Sequence, residues 1–197
     1  MNKKGGAFMF KELVIKNRSY RRFFEDYSVS EETLRELVDL ARNTASTVNS
    51  QALRYKLITS HNERETVFGN LTWAGLLKDW HGPEKGERPS AYIIIMCDLS
   101  VGCNKHFDDG IAAQTILLGA TEKGLGGCMF GSINRKALAA ELGIDLEKYS
   151  VDLVIALGKP KETVKIVELP ETGSTAYYRD ENGIHFVPKR SLDDLIV

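Results

Sequence analysis

Three arginines fall within five positions near the start of the chain, in Asn17-Arg18-Ser19-Tyr20-Arg21-Arg22-Phe23. A guanidinium offers a flat fork of N–H donors that suits bidentate contact with an anion. In an extended segment, side chains 17, 19 and 21 share one face and 18, 20 and 22 the other, so this run can present cations and a hydroxyl to one ligand. It also suits a solvated basic turn after a helix, where cations favour the helix dipole. A second run, Ala45-Ser46-Thr47-Val48-Asn49-Ser50-Gln51, can donate and accept hydrogen bonds to a polyol or a heterocycle edge. A helix-to-strand loop uses the same residue types. A third, Gly124-Leu125-Gly126-Gly127-Cys128-Met129-Phe130-Gly131-Ser132, lacks the spacing of a dinucleotide fingerprint and follows a helix, not a strand. It reads as a helix stop with a turn, or as backbone left bare for a flat ligand to approach. Pro188-Lys189-Arg190 near the other terminus is a surface basic pair, or a second clamp on whatever the first cluster holds. Trp73 and Trp80, with Leu71, Leu76 and Leu77, can stack on a planar substrate or pack beneath their own loop or against another subunit.

Other chemistries find little support. Cys97, Cys103 and Cys128 form no C-x-x-C pair and His61, His81, His106 and His185 stand singly, so no metal site is expected. The odd, sparse cysteines fit a reducing compartment. With 26 Lys+Arg against 27 Asp+Glu the formal net charge is −1, which argues against a nucleic-acid partner. The longest apolar run, Ile93 to Cys97, is too short for a bilayer. Met1 to Ala7 has two lysines but no apolar stretch behind them, so no secretory signal is expected and a cytoplasmic location is. A length of 197 residues suits one domain, with residues 1–7 expected to be disordered.

The elements that must position these residues follow from periodicity. Phe10, Leu13 and Val14 predict a helix over 8–17, followed by an extended segment or loop to Tyr27. Ser28 and Ser30 offer N-caps for a helix over 31–43, with Leu34, Leu37, Val38 and Ala41 on one side. A strand is predicted at 55–59, a short helix at 62–68, and a long connection at 69–89. The apolar run 91–97 predicts a buried central strand, and 108–123 a helix buried on more than one side, ended by Gly124 to Gly127. Ser132 or Asn134 caps a helix over 135–142. Strands are predicted at 151–157 and 184–187, with a brief C-terminal helix after Arg190. Helices and strands mix without a regular βαβ beat, which predicts an α+β fold.

Taken in chain order, the clusters resemble the nitroreductase family. The resemblance rests on Arg18-Ser19-Tyr20-Arg21, then Ser46, Asn49 and Gln51 after the second helix, then Gly124 to Gly126 with the turn Met129 to Ser132, and finally Lys189 and Arg190. It covers nearly the whole chain. Many relatives have another arginine at the position of Asn17, a proline before the serine of Ser46, Pro-Trp at Ala52-Leu53, and an aromatic residue at Met129. The resemblance implies a central, mostly antiparallel sheet flanked by helices, and an interlocked homodimer with two FMN sites at its interface. It implies that Arg18, Ser19 and Arg21 hold the phosphate, ribityl and pyrimidine edge. Ser46, Thr47 and Asn49 would reach the flavin of the other subunit. The turn Met129, Phe130, Gly131 and Ser132 would meet the flavin, with the Gly131-Ser132 backbone hydrogen-bonding near N5, and Lys189 and Arg190 would return to the phosphate. The implied chemistry is hydride transfer from NADH or NADPH, through the flavin, to a nitroaromatic or quinone, with the cofactor doing the redox step and Arg21 stabilising its reduced form. Trp73 and Trp80 are the expected substrate wall. Other readings on the same contacts are a reductive dehalogenase or flavin-destroying enzyme, and a flavin-binding protein without turnover. A structural module without cofactor is a third.

Overall fold

The structure is a computed structural model that describes residues 9–77, 79–102 and 107–197. The expectation for residues 1–7, Phe8 of the first helix, Cys103 and His106 lie outside the described residues. Among the described residues, five α-helices and eight strands run in the order α1 (Phe10–Lys16), β1 (Phe23–Phe24), α2 (Glu31–Arg42), β2 (Leu53–Ile58), α3 (His61–Gly69), β3 (Ala91–Asp98), α4 (Asp108–Glu122), β4 (Gly126–Phe130), α5 (Arg135–Leu142), β5 (Tyr149–Pro160), β6 (Val164–Glu168), β7 (Tyr178–Arg179) and β8 (His185–Lys189). A 3-10 turn lies at Thr47–Asn49.

The larger sheet is ordered β2-β3-β5, with β4 and then β1 along the free side of β5. Every one of its pairings is antiparallel. Side chains alternate across β3 and β5, and both faces are covered. Ile93, Ile95, Ile155 and Leu157 pack on Leu34, Leu37 and Ala41 of α2 and Ala112, Ala113, Ile116 and Ala120 of α4. Tyr92, Ile94, Met96, Val154 and Ala156 pack on Val67 of α3, Leu138 of α5, Trp73 and Phe130. Coverage on both sides is why β3 is apolar at almost every position although its neighbours are antiparallel. Fully burying one such aliphatic side chain contributes about 1.5–3 kcal/mol.

Local signals explain the helix limits. Ser30, not Ser28, caps α2: its Oγ accepts from Thr33 N at 3.1 Å, a contact worth about 1 kcal/mol. Asn134, not Ser132, caps α5 through Oδ1 and the Ala137 N–H. Gly124 alone turns the chain out of α4, at φ +72°, where an L side chain is strained.

Three expectations are corrected. The glycines after Gly124 do not prolong a turn, because Gly126 and Gly127 open β4. A second sheet, ordered β6-β8-β7, is built after residue 160, and its β6–β8 pair is parallel. The brief C-terminal helix is absent: residues 191–195 make only a turn, with Leu195 N donating to Leu192 O at 3.0 Å. A short isolated helix lacks the packing that would offset its nucleation, and Leu192, Leu195 and Ile196 are exposed.

Candidate functional site

The basic segment 17–22 is extended and lies on β4, with Ser19 bridged to Gly127 and Tyr20 N donating to Gly127 O at 2.9 Å. The two glycines permit this approach. A Cβ on Gly126 would sit 2.5 Å from the Tyr20 ring, and one on Gly127 would sit 2.3 Å from Ala156 O. The bare backbone expected to face a flat ligand thus accommodates the chain's own segment. The other side of the segment is clamped by Glu162, just past β5. Its buried carboxylate accepts from Arg21 N and Arg22 N and pairs with Arg179 at 2.9 Å. The second sheet is thereby tied to the basic segment. Arg179 also lies over the Trp80 ring, 4.4 Å from its centroid, and Arg22 lies 5.9 Å from the same ring.

A cavity of about 310 Å³ opens between the segment, α4, β4 and the second sheet. Arg18, Ser19, Arg21, Met129 and Lys189 line it. Asn17, Ser19 and Arg21 reach it together, as the alternation of an extended strand requires, and Arg18 joins them. Arg190 is not in the lining. Lys189 arrives from β8 with Val187 and His185, two residues apart on one face of the strand, and Tyr177 closes the same side. Three cations from the two ends of the sequence therefore meet at one cavity whose lining holds no carboxylate. Such a field favours an anionic ligand. Two buried nitrogens there, Arg18 Nε and His185 Nδ1, lack a hydrogen-bond partner among the described residues. His185 and Tyr177 were not singled out from the sequence. Their signal was available: positions 185, 187 and 189 share a strand face once Lys189 is taken as a site residue.

The sequence matches the profile of the Nitroreductase family over residues 14–89 and 104–159. The chain belongs to the nitroreductase family. Solved structures share the fold. A protein from Desulfovibrio desulfuricans, assigned as a nitroreductase and solved with FMN, is 23% identical, with a TM-score of 0.69 over 95% of this chain and 94% of its own. One from Exiguobacterium sibiricum, assigned likewise and also solved with FMN, is 18% identical, with a TM-score of 0.67 over 84% of this chain and 95% of its own. One from Staphylococcus epidermidis, assigned as an NAD(P)H:FMN oxidoreductase, is 21% identical, with a TM-score of 0.65 over 86% and 96%. No curated protein matches the sequence significantly.

The other residues expected at the site are placed as follows. Met129 faces the cavity, but Phe130, its neighbour on β4, points to the opposite side and packs edge-on to Trp73 at 4.6 Å. Any role for Phe130 at a bound ligand would therefore be limited to its backbone. Gly131 and Ser132 are exposed just beyond β4, and Ser132 O accepts from Thr72 N at 3.0 Å. Ser46 and Gln51 line a separate hollow of about 290 Å³ with Arg42, Arg54, Tyr55 and Asp108. Thr47 is already engaged: its N–H and hydroxyl both donate to Asp108 at 2.9 Å. Val48, Asn49 and Gln51 have φ of 47°, 54° and 51°, a strained run for residues with side chains. Asn49 is exposed. Within one chain this segment does not meet the basic cavity. Neither tryptophan lines that cavity. Trp73 is a core residue, 6% exposed, and Trp80 is half-buried beside it; together they border a separate hollow of about 350 Å³ with Leu77 and His81. Among the described residues no helix is long and apolar enough to cross a membrane, and no cluster of His, Cys, Asp or Glu could hold a metal ion.

Proposed function

We propose that the chain is an FMN-dependent oxidoreductase that passes hydride from NADH or NADPH to a small organic acceptor such as a nitroaromatic or a quinone. One observation carries this reading above the others: Arg18, Arg21 and Lys189 converge on a cavity without a carboxylate in its lining. The donor set fits FMN, whose phosphate and polar ring edge need cations and N–H donors, and the unpartnered Arg18 Nε and His185 Nδ1 fit a site built for a polar occupant. FMN, when bound, supplies reversible hydride exchange. Arg18 and Lys189 hold its phosphate, Ser19 its ribityl hydroxyls, and Arg21 the ring edge where negative charge grows on reduction. Leu117 and Met129 give the cavity apolar wall. No protein nucleophile is needed.

The working unit in this reading is a homodimer. Support comes from apolar surface left uncovered in one chain: α1 buries no residue, and Met9, Phe10, Val48 and the C-terminal leucines are exposed. The strained run with Ser46, Thr47 and Asn49 would then complete the partner's site. Strain of this kind costs about 1–3 kcal/mol per residue and persists where function uses it.

The decisive experiment is the absorption spectrum of the purified protein before and after NADH or NADPH. A flavin spectrum that bleaches and returns when nitroaromatic or quinone is added is the expected result. Bound flavin that neither nicotinamide bleaches would point instead to a binding protein without turnover, and colourless protein that takes up no FMN would overturn the proposal.

A further inference from the structure

His185 is almost wholly buried, 1% exposed, at the wall of the basic cavity. Its Nε2 lies 3.5 Å from Arg21 Nη1. An arginine can only donate, so this contact requires Nε2 to be the unprotonated acceptor and places the ring proton on Nδ1. The same Nη1 donates to Ser19 O at 3.2 Å. Both hydrogens of that nitrogen are thereby used. The Nη2 and Nε groups of Arg21 have no hydrogen-bond partner among the described residues. The Tyr177 ring closes the assembly, 4.9 Å from the Arg21 guanidinium carbon and 5.2 Å from the His185 ring.

We propose that His185 is a positioning residue, whose neutral ring takes one hydrogen of Arg21 and so fixes the remainder of that guanidinium toward the bound ligand. Naming the ligand as FMN rests on the function proposed above; the contact itself does not. Charge agrees with geometry. Burial, and next the charge of Arg21, pull the His185 pKa from 6.5 to about 4, with Arg179 acting the same way and Glu162 against it. The ring therefore remains uncharged at neutral pH and adds no repulsion to Arg21. A cationic ring could not accept from a guanidinium. A positioned arginine also pays less ordering entropy when its ligand arrives.

Two measurements test this. Nitrogen NMR of the purified protein reports which ring nitrogen of His185 carries the proton. The expected signature is a protonated Nδ1 and a bare Nε2, unchanged from neutral pH down to about pH 5; a protonated Nε2, or a cationic ring in that range, overturns the proposal without any use of flavin. The second measurement compares FMN affinity, oxidised and reduced, in wild type, His185→Phe and His185→Gln. Phenylalanine removes the acceptor, and glutamine replaces it near the Nε2 position. Expected is about tenfold or greater weakening for reduced FMN in His185→Phe, little change for oxidised FMN, and recovery in His185→Gln. Equal affinities in all three proteins overturn the proposal, as does equal loss in both variants. Should His185→Phe not fold, the NMR result and His185→Gln decide. If the wild type binds no FMN, the function proposed above fails, while the NMR result still decides the role of His185.

Discussion

At the scale of single residues, the site is governed by which polar atoms are already occupied. Arg21 has N–H donors to spare and Thr47 does not. Replacing Arg21 by alanine is expected to weaken binding of reduced FMN by about 1.5–3 kcal/mol, the worth of a charge-assisted hydrogen bond, with a smaller effect on oxidised FMN; fluorescence and reductive titrations read both. His185 makes stability depend on pH. The folded state takes up the second ring proton of His185 only below about pH 4, whereas the unfolded chain takes it up below about pH 6.5. The unfolded state therefore binds more protons between those values, and the contribution of His185 to stability falls as pH drops through that window. Urea unfolding across the window should show a steeper loss for wild type than for His185→Gln. Arg18, Ser19, Arg21 and Lys189 stood out in the sequence by charge and type, which left a solvated surface open as an alternative; the family resemblance singled them out, and the structure brings them to one cavity. His185 was not, since a lone histidine acquires meaning only from the strand face it shares and the arginine brought against it from 164 positions away. Trp73 looked like a site residue by type, and Phe130 by its place in the turn that the family resemblance implies. The pleat of β4 and the packing of the lower core turn them inward, and Trp73→Ala should cost about 3–5 kcal/mol of stability while acceptor preference stays constant, as thermal unfolding and steady-state kinetics would show.

At the scale of elements, the five helices and the long strands were read well from sequence, whereas β4, β6 and β7 were not and the expected C-terminal helix is absent. The α2 and α4 stripes repeat at helical spacing, and the β3 run is unbroken, so local pattern sufficed. β4 begins with two glycines, which local propensity assigns to a turn. It is a strand because the basic segment and β5 leave room for nothing larger than hydrogen there. Gly127→Ala places a methyl against the backbone oxygen of Ala156, and overpacking at that site should cost at least about 1–3 kcal/mol and loosen the Ser19 bridge; thermal unfolding and FMN affinity should fall together. Of the second sheet only β8 was predicted, as the strand at 184–187; β6 and β7 escaped notice because they have five and two residues and mixed polarity. Its attachment is readable only in three dimensions, at Glu162. Replacing Glu162 by alanine leaves Arg179 without its buried partner and two backbone N–H groups without an acceptor. Loss of one member of a buried pair costs about 3–5 kcal/mol, and limited proteolysis should find the segment after residue 160 newly accessible.

At the scale of the whole molecule, composition and element order led to the α+β class, and the family resemblance led to the antiparallel sheet. The interlocked homodimer is implied only by the resemblance and stays a proposal, supported by the uncovered apolar surface on α1 and the C-terminal turn. Phe10→Glu should shift the sedimentation of a dimer toward that of a single chain, and FMN should be released in proportion. The sheet itself has an order of assembly written into it. β5 spans residues 149 to 160 and pairs with β1, β3 and β4, all of which leave the ribosome before it does. Until its last residues emerge, three earlier strands lack their shared neighbour and their edges stay open to other nascent chains. Fragments that stop short of residue 149 are expected to aggregate, and chaperones to hold the growing polypeptide until that strand arrives to join the pieces.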